Sequence, residues 1–379
     1  MHILGAAGAG TSPQRKPGTP VEREAVMSHL TFAEAIVVGL VQGVTELFPV
    51  SSLGHNVLIP ALVGSNWARD LNVSSPRSPY LAFIVGLHVA TAIGITAYFW
   101  RDWLRIIGGF FSSIRYREIE SPDQKLAWMI ILATIPVGLA GLLFEHVFRV
   151  LFGRPSLAAI FLVVNGGILY AAERCRPRKS READEVVLRE LAEKQAEELT
   201  RDRELEPERE LELVGAAEMP ADRSADRATA HSSGQRVVRQ QEAAAAVASD
   251  HRIASHGDAQ ALIVGSAQVL ALLAGISRDG VTMAAGMFRG MSREDAARFA
   301  FLLATPVILA AGVLKIPDLL GPLGNGIRPQ ILAGSIVSGI GAYLSVRFLT
   351  KYFKTRTLTP FAVYCVVFGL GSLIYLGLR

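Results

Sequence analysis

The chain has 379 residues, of which 50% are hydrophobic and 19% charged, and its formal net charge is +4. Most of the charged residues lie in one block, which excludes an ordinary soluble domain and favours a membrane protein. The small positive excess does not indicate nucleic-acid binding, because basic residues beside membrane spans set orientation instead.

Six apolar stretches meet or approach the length of about 17–25 residues that a helix needs to cross a bilayer. In chain order they are Tyr80–Trp100, Trp128–Phe144, Leu157–Ala172, Phe299–Leu314, Ile331–Leu349 and Phe361–Leu378. With six crossings, the basic segments after Trp100, after Ala172 and after Leu349 fall on one side. The excess of basic residues predicts that this side is the cytoplasm.

Four further apolar pieces are too short to cross the membrane. They are about Ala35–Phe48, Val57–Val63, Ala259–Ile276 and Val281–Met287. They form two pairs, and a polar turn interrupts each pair. Non-helical backbone in a membrane is tolerated only where protein or a wet cavity surrounds it. Each pair therefore predicts a re-entrant helical hairpin with its polar turn near mid-membrane.

The two hairpins resemble each other. Aligning "GLVQGVTELFPVSSLG" (39–54) with "GSAQVLALLAGISRDG" (265–280) matches Gly39 with Gly265, Gln42 with Gln268, Ser51 with Ser277 and Gly54 with Gly280. Each half has one hairpin and three spans, and an odd number of spans inverts the second half. The predicted fold is an all-α integral membrane protein with six transmembrane helices and two re-entrant hairpins in an inverted repeat, with its site where the halves meet.

The domain organisation follows from these assignments. Residues 1–28 are predicted to be a disordered tail, 29–172 the first repeat and 259–379 the second repeat. Residues 173–258 carry dense charge of both signs and too little apolar surface for a core, which predicts a largely disordered cytoplasmic linker. A helix within it is expected from Asp184 to about Glu206, ended by Pro207.

The first polar turn contains an acid, hydroxyls and an imidazole. Gln42 and Glu46 are four residues apart and share a helix face. An ionisable group inside a membrane segment is a candidate for function. Ser51 and Ser52 precede the second short helix, and His55 follows. An acid, a hydroxyl and an imidazole so close together are the components of an activated nucleophile.

The second polar turn contains Arg278, whose guanidinium is suited to binding phosphate oxygens in pairs. Ser277 and Thr282 add hydroxyl donors, and Gly275 leaves room for a ligand to approach the backbone. The arginine has two alternative partners: a structural ion pair with Asp279 or Glu46, or a ligand phosphate. Together the two turns suit hydrolysis of a phosphate carried on a lipid.

At these residues the chain resembles the undecaprenyl-diphosphate phosphatases of the bacitracin-resistance family. The motifs are "QGVTE" (42–46), "PVSSLGH" (49–55), "GISRDGVT" (275–282) and "GMFRGMSREDAARFAFLLATPV" (286–307). The similarity covers nearly all of the chain from about residue 30 onwards, except the linker.

The resemblance implies hydrolysis of a 55-carbon polyprenyl diphosphate, which recycles the lipid carrier for cell-wall synthesis and confers bacitracin resistance. It implies a divalent metal ion, Mg²⁺ or Ca²⁺, as cofactor. It also implies a multi-pass protein of the bacterial cytoplasmic membrane, surrounded by membrane lipids, with its site open to the outer face. The oligomeric state is left open, with a homodimer as one option.

By motif, Glu46 would be the essential acid, engaged with the metal. Ser52 and His55 would serve as nucleophile and base, or would position the phosphate and the water. Arg278 would neutralise the diphosphate. The residues expected to contact substrate are Gln42, Ser51, Ser277, Thr282 and Gly275.

The chain departs from the family motif at three positions. Gln42 stands where many members have glutamate, Ala274 replaces a proline, and Asp279 replaces a serine. Gln42 and Asp279 are further candidate metal ligands beside Glu46. An alternative reading is a polyprenyl-phosphate transporter without hydrolysis, because inverted repeats with broken helices are also transporter architecture.

Overall fold

A computed structural model describes residues 30–64, 67, 71, 79–152, 154–215, 243–320 and 326–378. The predicted tail at 1–28 lies outside these ranges. Within them the regular structure is helical and contains no strand. In chain order the helices are α1 (Phe32–Thr45), α2 (Ser52–Val63), α3 (Pro79–Tyr98), α4 (Trp100–Tyr116), α5 (Pro122–Phe152), α6 (Pro155–Arg174), α7 (Arg178–Gly215), α8 (243–254), α9 (Asp258–Ala267), α10 (Arg278–Phe288), α11 (Arg293–Leu320), α12 (Arg328–Thr355) and α13 (Thr359–Gly377).

The predicted spans fall in α3, α5, α6, α11, α12 and α13. Among the described residues, five of these helices are long and apolar enough to cross a membrane by themselves, and the pair of α3 and α4 gives a sixth. The predicted class, an all-α membrane protein with multiple spans, is confirmed.

Helix α4 occupies the segment that the sequence indicated to be a basic loop. The chain bends between the two helices, so that the axis of α4 makes an angle of 85° with the axis of α3. Its exposed apolar side chains recur every three or four residues, at Trp100, Leu104, Ile107, Phe111 and Ile114. An amphipathic helix of this kind is typical of the membrane interface, where one face contacts lipid and the other contacts water or protein.

The four short apolar pieces form two pairs of short helices. Helices α1 and α2 are joined by the turn 46–51. In the second pair, α9 continues as a 3₁₀ segment, Gln268–Leu272, and a turn leads to α10. The predicted pairing of short helices around polar turns is therefore observed. That the pairs re-enter the membrane stays a prediction.

The two halves pack reciprocally, as an inverted repeat requires. Helix α1 of the first half lies on α12, the second span of the other half, and α9 lies on α5, the second span of the first half. The matched glycines of the repeat make these contacts. A Cβ on Gly39 would be 2.4 Å from the carbonyl oxygen of Gly334, and a Cβ on Gly265 would be 2.2 Å from that of Ala133. Helix α13 packs on α6 and α11 on α3, so equivalent spans also meet.

In the 173–258 region the predicted helix from Asp184 to about Glu206 is observed as part of a longer helix, and a second helix follows. Helix α7 covers Arg178–Gly215 and continues through Pro207, and α8 covers 243–254, while 216–242 lie outside the described residues. Asp250 of α8 is buried and accepts hydrogen bonds from Arg105 (2.6 Å) and Arg298 (2.7 and 2.9 Å). Paired charges on distant helices thus stabilise this segment together with a few buried apolar side chains, among them Val187 and Ile253.

We expect Gly43→Ala to destabilise the protein, because the new Cβ would lie 2.4 Å from the carbonyl oxygen of Ser338 on α12. Overpacking of this kind costs about 1–3 kcal/mol. The matched control is Gly167→Ala, where an added Cβ meets nothing within 4 Å and alanine favours the helix. Thermal unfolding in detergent should show a lower melting temperature for Gly43→Ala alone. Equal melting temperatures would contradict the close approach of α1 and α12.

Candidate active site

The first polar turn begins at Glu46, the residue that ends α1, and it leads into α2 at Ser52. Ser51 has a φ of 68°, a left-handed conformation that is strained for a residue with a side chain. Its hydroxyl accepts hydrogen bonds from the amides of Gly54 and Gly275, both at 3.2 Å. Ser51 therefore caps α2 and joins the first turn to the second.

The second polar turn leads into α10, whose N-cap is Ser277. The Ser277 hydroxyl accepts a hydrogen bond from the amide of Gly280 at 3.1 Å. Gly275 has a φ of 110°, and a Cβ there would lie 2.3 Å from the carbonyl oxygen of Ala158, so only glycine fits. Thr282 lies one turn into α10 and donates to the carbonyl oxygen of Arg278 at 2.7 Å. Ser277 and Thr282 thus shape the helix that presents Arg278.

Arg278 connects the two turns through its guanidinium. Its Nη2 donates to Oε1 of Glu46 at 3.1 Å, and its Nε donates to Oδ1 of Asp279 at 3.2 Å. Both acids that the sequence offered as structural partners contact it. The guanidinium side chain is 13% exposed, and the two carboxylates are more deeply buried. The pairing satisfies charges that would otherwise be costly in a membrane.

Glu46 lies at the centre of the site. Its Oε2 accepts hydrogen bonds from the Ser52 hydroxyl and, at 2.8 Å, from Nε2 of Gln42. The Gln42 side-chain oxygen accepts from Nδ2 of Asn56 at 2.6 Å. Both ends of the Gln42 amide are therefore engaged, and Gln42 orients Glu46 in this arrangement.

Both ring nitrogens of His55 bond to groups other than the Ser52 hydroxyl. Its Nδ1 lies 2.7 Å from the carbonyl oxygen of Ser51, so Nδ1 carries the proton. In the neutral ring, Nε2 then accepts from the Tyr364 hydroxyl at 2.7 Å. The rings of Tyr364 and Phe368 stack on the imidazole. Among the hydrogen bonds of the described residues, the Ser52 hydroxyl therefore bonds to Glu46, while the unprotonated nitrogen of His55 bonds to Tyr364 and not to Ser52.

Three further residues complete the site, and sequence reasoning missed them. His88 of α3 donates from Nδ1 to Ile84, and its Nε2 lies 3.6 Å from Oε2 of Glu46. Asn165 of α6 donates to the carbonyl oxygen of Pro49 and accepts from the amide of Ser277, both at 2.9 Å. The third is Tyr364. A lone His or Asn inside an apolar span was a usable signal, whereas nothing in the sequence distinguishes Tyr364.

The donors available for a divalent cation are few. In the described part of the chain, no three His, Cys, Asp or Glu side chains are grouped as a metal site. The Oδ2 atom of Asp279 is buried without a hydrogen-bond partner, close to Arg278 and Glu46. Mg²⁺ is often bound by one or two carboxylates together with substrate phosphates. Asp279 and Glu46 fit that arrangement, and Gln42, with its oxygen engaged by Asn56, does not contribute a ligand in this conformation.

The fold and the site together define a multi-pass helical membrane protein with a buried, charged site at the junction of two repeated halves. The chain belongs to the family described as bacitracin resistance protein BacA, which matches residues 35–193 and 235–371.

Several curated relatives are similar over most of their length. An undecaprenyl-diphosphatase of Mycolicibacterium paratuberculosis is 53% identical over 352 residues, covering 93% of this chain and 99% of the relative. Undecaprenyl-diphosphatase 2 of Frankia alni is 49% identical, covering 90% and 97%. A more distant undecaprenyl-diphosphatase, from Granulibacter bethesdensis, is 33% identical, covering 90% and 96%.

We expect Asn165→Leu to destabilise the junction of the two turns, since it leaves the buried amide of Ser277 without this acceptor and the carbonyl of Pro49 with only the weak thiol donor of Cys365. A buried group left without a partner costs about 1–3 kcal/mol. Thr134→Val is the control, because Thr134 donates only within its own helix, to Ile130. Thermal unfolding should show a clear loss of stability for Asn165→Leu and little change for Thr134→Val. A similar small change in both variants would argue against the bridging role of Asn165.

Proposed function

We propose that this protein hydrolyses undecaprenyl diphosphate to undecaprenyl phosphate and inorganic phosphate, recycling the lipid carrier for cell-wall synthesis and conferring bacitracin resistance. The observation that carries the proposal is the contact of Ser52, Glu46 and Arg278 inside a helical membrane protein. This contact combines a nucleophile, a base and a phosphate-binding cation. The similarity to relatives named undecaprenyl-diphosphatase supports the same substrate.

Arg278 would bind the diphosphate. Its five donors match phosphate oxygens in pairs, and a buried guanidinium stabilises negative charge strongly. A diphosphate that enters the site would replace part of the ion pairing that Arg278 makes with Glu46 and Asp279. Binding of the substrate would thereby release the Glu46 carboxylate to act as a base.

Ser52 and Glu46 would carry out the transfer. Glu46 accepts the Ser52 proton as the hydroxyl oxygen bonds to the terminal phosphorus. The bond from that phosphorus to the bridging oxygen breaks, and its electron pair leaves with undecaprenyl phosphate. Glu46 passes this proton to the departing phosphate oxygen. Water then gives a proton to Glu46 as the water oxygen bonds to the phosphorus of the phosphoserine. The bond from that phosphorus to Oγ of Ser52 breaks, the proton moves from Glu46 to the serine oxygen, and inorganic phosphate is released.

In this mechanism His55 is a positioning group rather than the base for Ser52. Its unprotonated nitrogen faces Tyr364, whereas the Ser52 hydroxyl faces Glu46. The Nε2 atom of His88, 3.6 Å from Glu46, is placed to stabilise the carboxylate or to accept its proton during turnover.

A divalent ion, Mg²⁺ or Ca²⁺, is proposed as cofactor, held by Asp279 and Glu46 together with the diphosphate. When bound, it would supply positive charge that neutralises the phosphate oxygens. The unpartnered Oδ2 atom of Asp279 supports its role as a ligand. Because Gln42 is uncharged, Asp279 would supply the second carboxylate of the metal site beside Glu46.

The proposed location is the bacterial cytoplasmic membrane, with the site open to the outer face. The basic residues at the linker end of the bundle support this orientation, because they favour the cytoplasmic side. A homodimer is also proposed as an oligomeric state to test. The alternative of a polyprenyl-phosphate transporter is not favoured, since the curated relatives are named as diphosphatases.

Glu46→Gln should reduce phosphate release from undecaprenyl diphosphate by about 10²-fold or more, because the amide cannot take the Ser52 proton. Glu34→Gln is a matched control: Glu34 is a buried acid of the same helix, and its bonds to described residues form a capping box with Thr31 that glutamine also satisfies. Rates of phosphate release by the two purified variants test the assignment. Full activity of Glu46→Gln would refute it, and lipid transport without phosphate release by the wild type would favour the transporter.

Removal of divalent ions should abolish most of the phosphate release, and added Mg²⁺ or Ca²⁺ should restore it. Asp279→Asn should then need a higher Mg²⁺ concentration for half-maximal activity, because it removes one negative ligand. Titration of Mg²⁺ against activity in both proteins measures this shift. Activity that persists in excess chelator would contradict the proposed cofactor.

A further inference from the structure

One face of α13 lines an apolar groove on the outer surface of the helical bundle. The residues that line this face recur at the helical spacing of three and four residues. They are Pro360, Val363, Tyr364, Val367, Phe368, Gly371, Ser372 and Tyr375. Gly371 and Ser372 are small, so the face is hollow there, and it lines an open groove with a volume of about 720 Å³.

The opposite wall of this groove comes from α2, the helix that begins at the active site. Leu62 of α2 lines the groove and lies seven residues after His55, which places both on the same face of that helix. At 1.5 Å per residue, they are about 10 Å apart along the helix axis. The groove is thus built on the helix that presents Ser52 and His55.

The groove borders the polar site at His55. The Tyr364 side chain lines the groove, and its hydroxyl bonds to His55 at 2.7 Å. Phe368, also in the lining, stacks on the same imidazole. Ser52 precedes His55 by three residues on α2, and Glu46 binds the Ser52 hydroxyl. The groove therefore borders the His55 imidazole, and the charged groups around Ser52 lie on the same helix, α2.

We propose that the groove of α13 holds the prenyl chain of the substrate, with Tyr364 at the boundary between the chain and the diphosphate. The inference rests on the proposed function and adds the site that recognises the lipid part. From Pro360 to Tyr375 the lining extends about 22 Å along the helix. An amphiphile could place its phosphates at Arg278 and its hydrocarbon along α13. An apolar chain alone would fill the groove but leave the charged groups without a ligand.

Gly371→Phe tests this proposal because it fills the hollow without disturbing the fold. A Cβ on Gly371 meets nothing within 4 Å. Gly138→Phe on α5 is the matched control, since Gly138 is equally unobstructed and lies outside the groove. Equal melting temperatures of the full-length variants in detergent check that both fold.

We expect Gly371→Phe to raise KM for undecaprenyl diphosphate about tenfold with kcat nearly unchanged. The groove would contact the prenyl chain equally in the bound substrate and in the transition state, so losing this contact weakens binding without slowing the chemical step. Gly138→Phe should match the wild type. Turnover of a five-carbon prenyl diphosphate should be the same in all three proteins, because its chain is too short to occupy the hollow. If Gly371→Phe and Gly138→Phe have the same KM for the long substrate, the groove holds ordinary membrane lipid and the proposal fails.

Direct binding of fluorescent undecaprenyl phosphate to the same proteins separates this proposal from the proposed function. Weaker binding by Gly371→Phe than by Gly138→Phe supports the groove even if the wild type releases no phosphate, a result that would overturn only the hydrolase. Equal binding by the two variants overturns the groove whatever the phosphatase activity.

Discussion

The ion pair between Arg278 and Glu46 is the interaction on which the site depends. It joins two turns that are 232 residues apart in the sequence, inside a bundle of apolar helices. An isolated charge in a membrane segment costs at least about 2.5 kcal/mol, so each group needs the other or a ligand. The pair therefore satisfies both charges, and in the proposed mechanism a diphosphate replaces it because its charge is complementary to the guanidinium.

The surrounding bundle brings the two turns together through backbone contacts that admit no larger side chain. Gly39 and Gly265, matched in the repeat, let short helices lie directly on the spans of the opposite half. Ser51 and Asn165 then bond to the backbone of the second turn. Close packing of helices, rather than hydrophobic attraction between them, is what holds such a bundle in lipid.

Outside the bundle, charge has a structural role that composition alone did not indicate. Burial alone would lower the pKa of Arg252, but hydrogen bonds from its guanidinium to Asp295 and the charges of Asp295, Glu294 and Glu190 raise it. The guanidinium stays protonated, and it ties α8 to the start of α11. A charge-rich segment can thus be ordered when its partners lie on other helices.

The sequence by itself determined the apolar spans, the repeat and the motif residues Glu46, Ser52 and Arg278, because hydropathy and motif spacing are local properties. It did not determine the partner of His55, since Tyr364 lies 309 residues away. His88 and Asn165 likewise enter the site only through the packing of α3 and α6. The bend at Trp100 and the attachment of α8 to α4 and α11 through Asp250 were also decided by tertiary structure. In each case the energy comes from contacts between groups distant in the chain, which no local pattern contains.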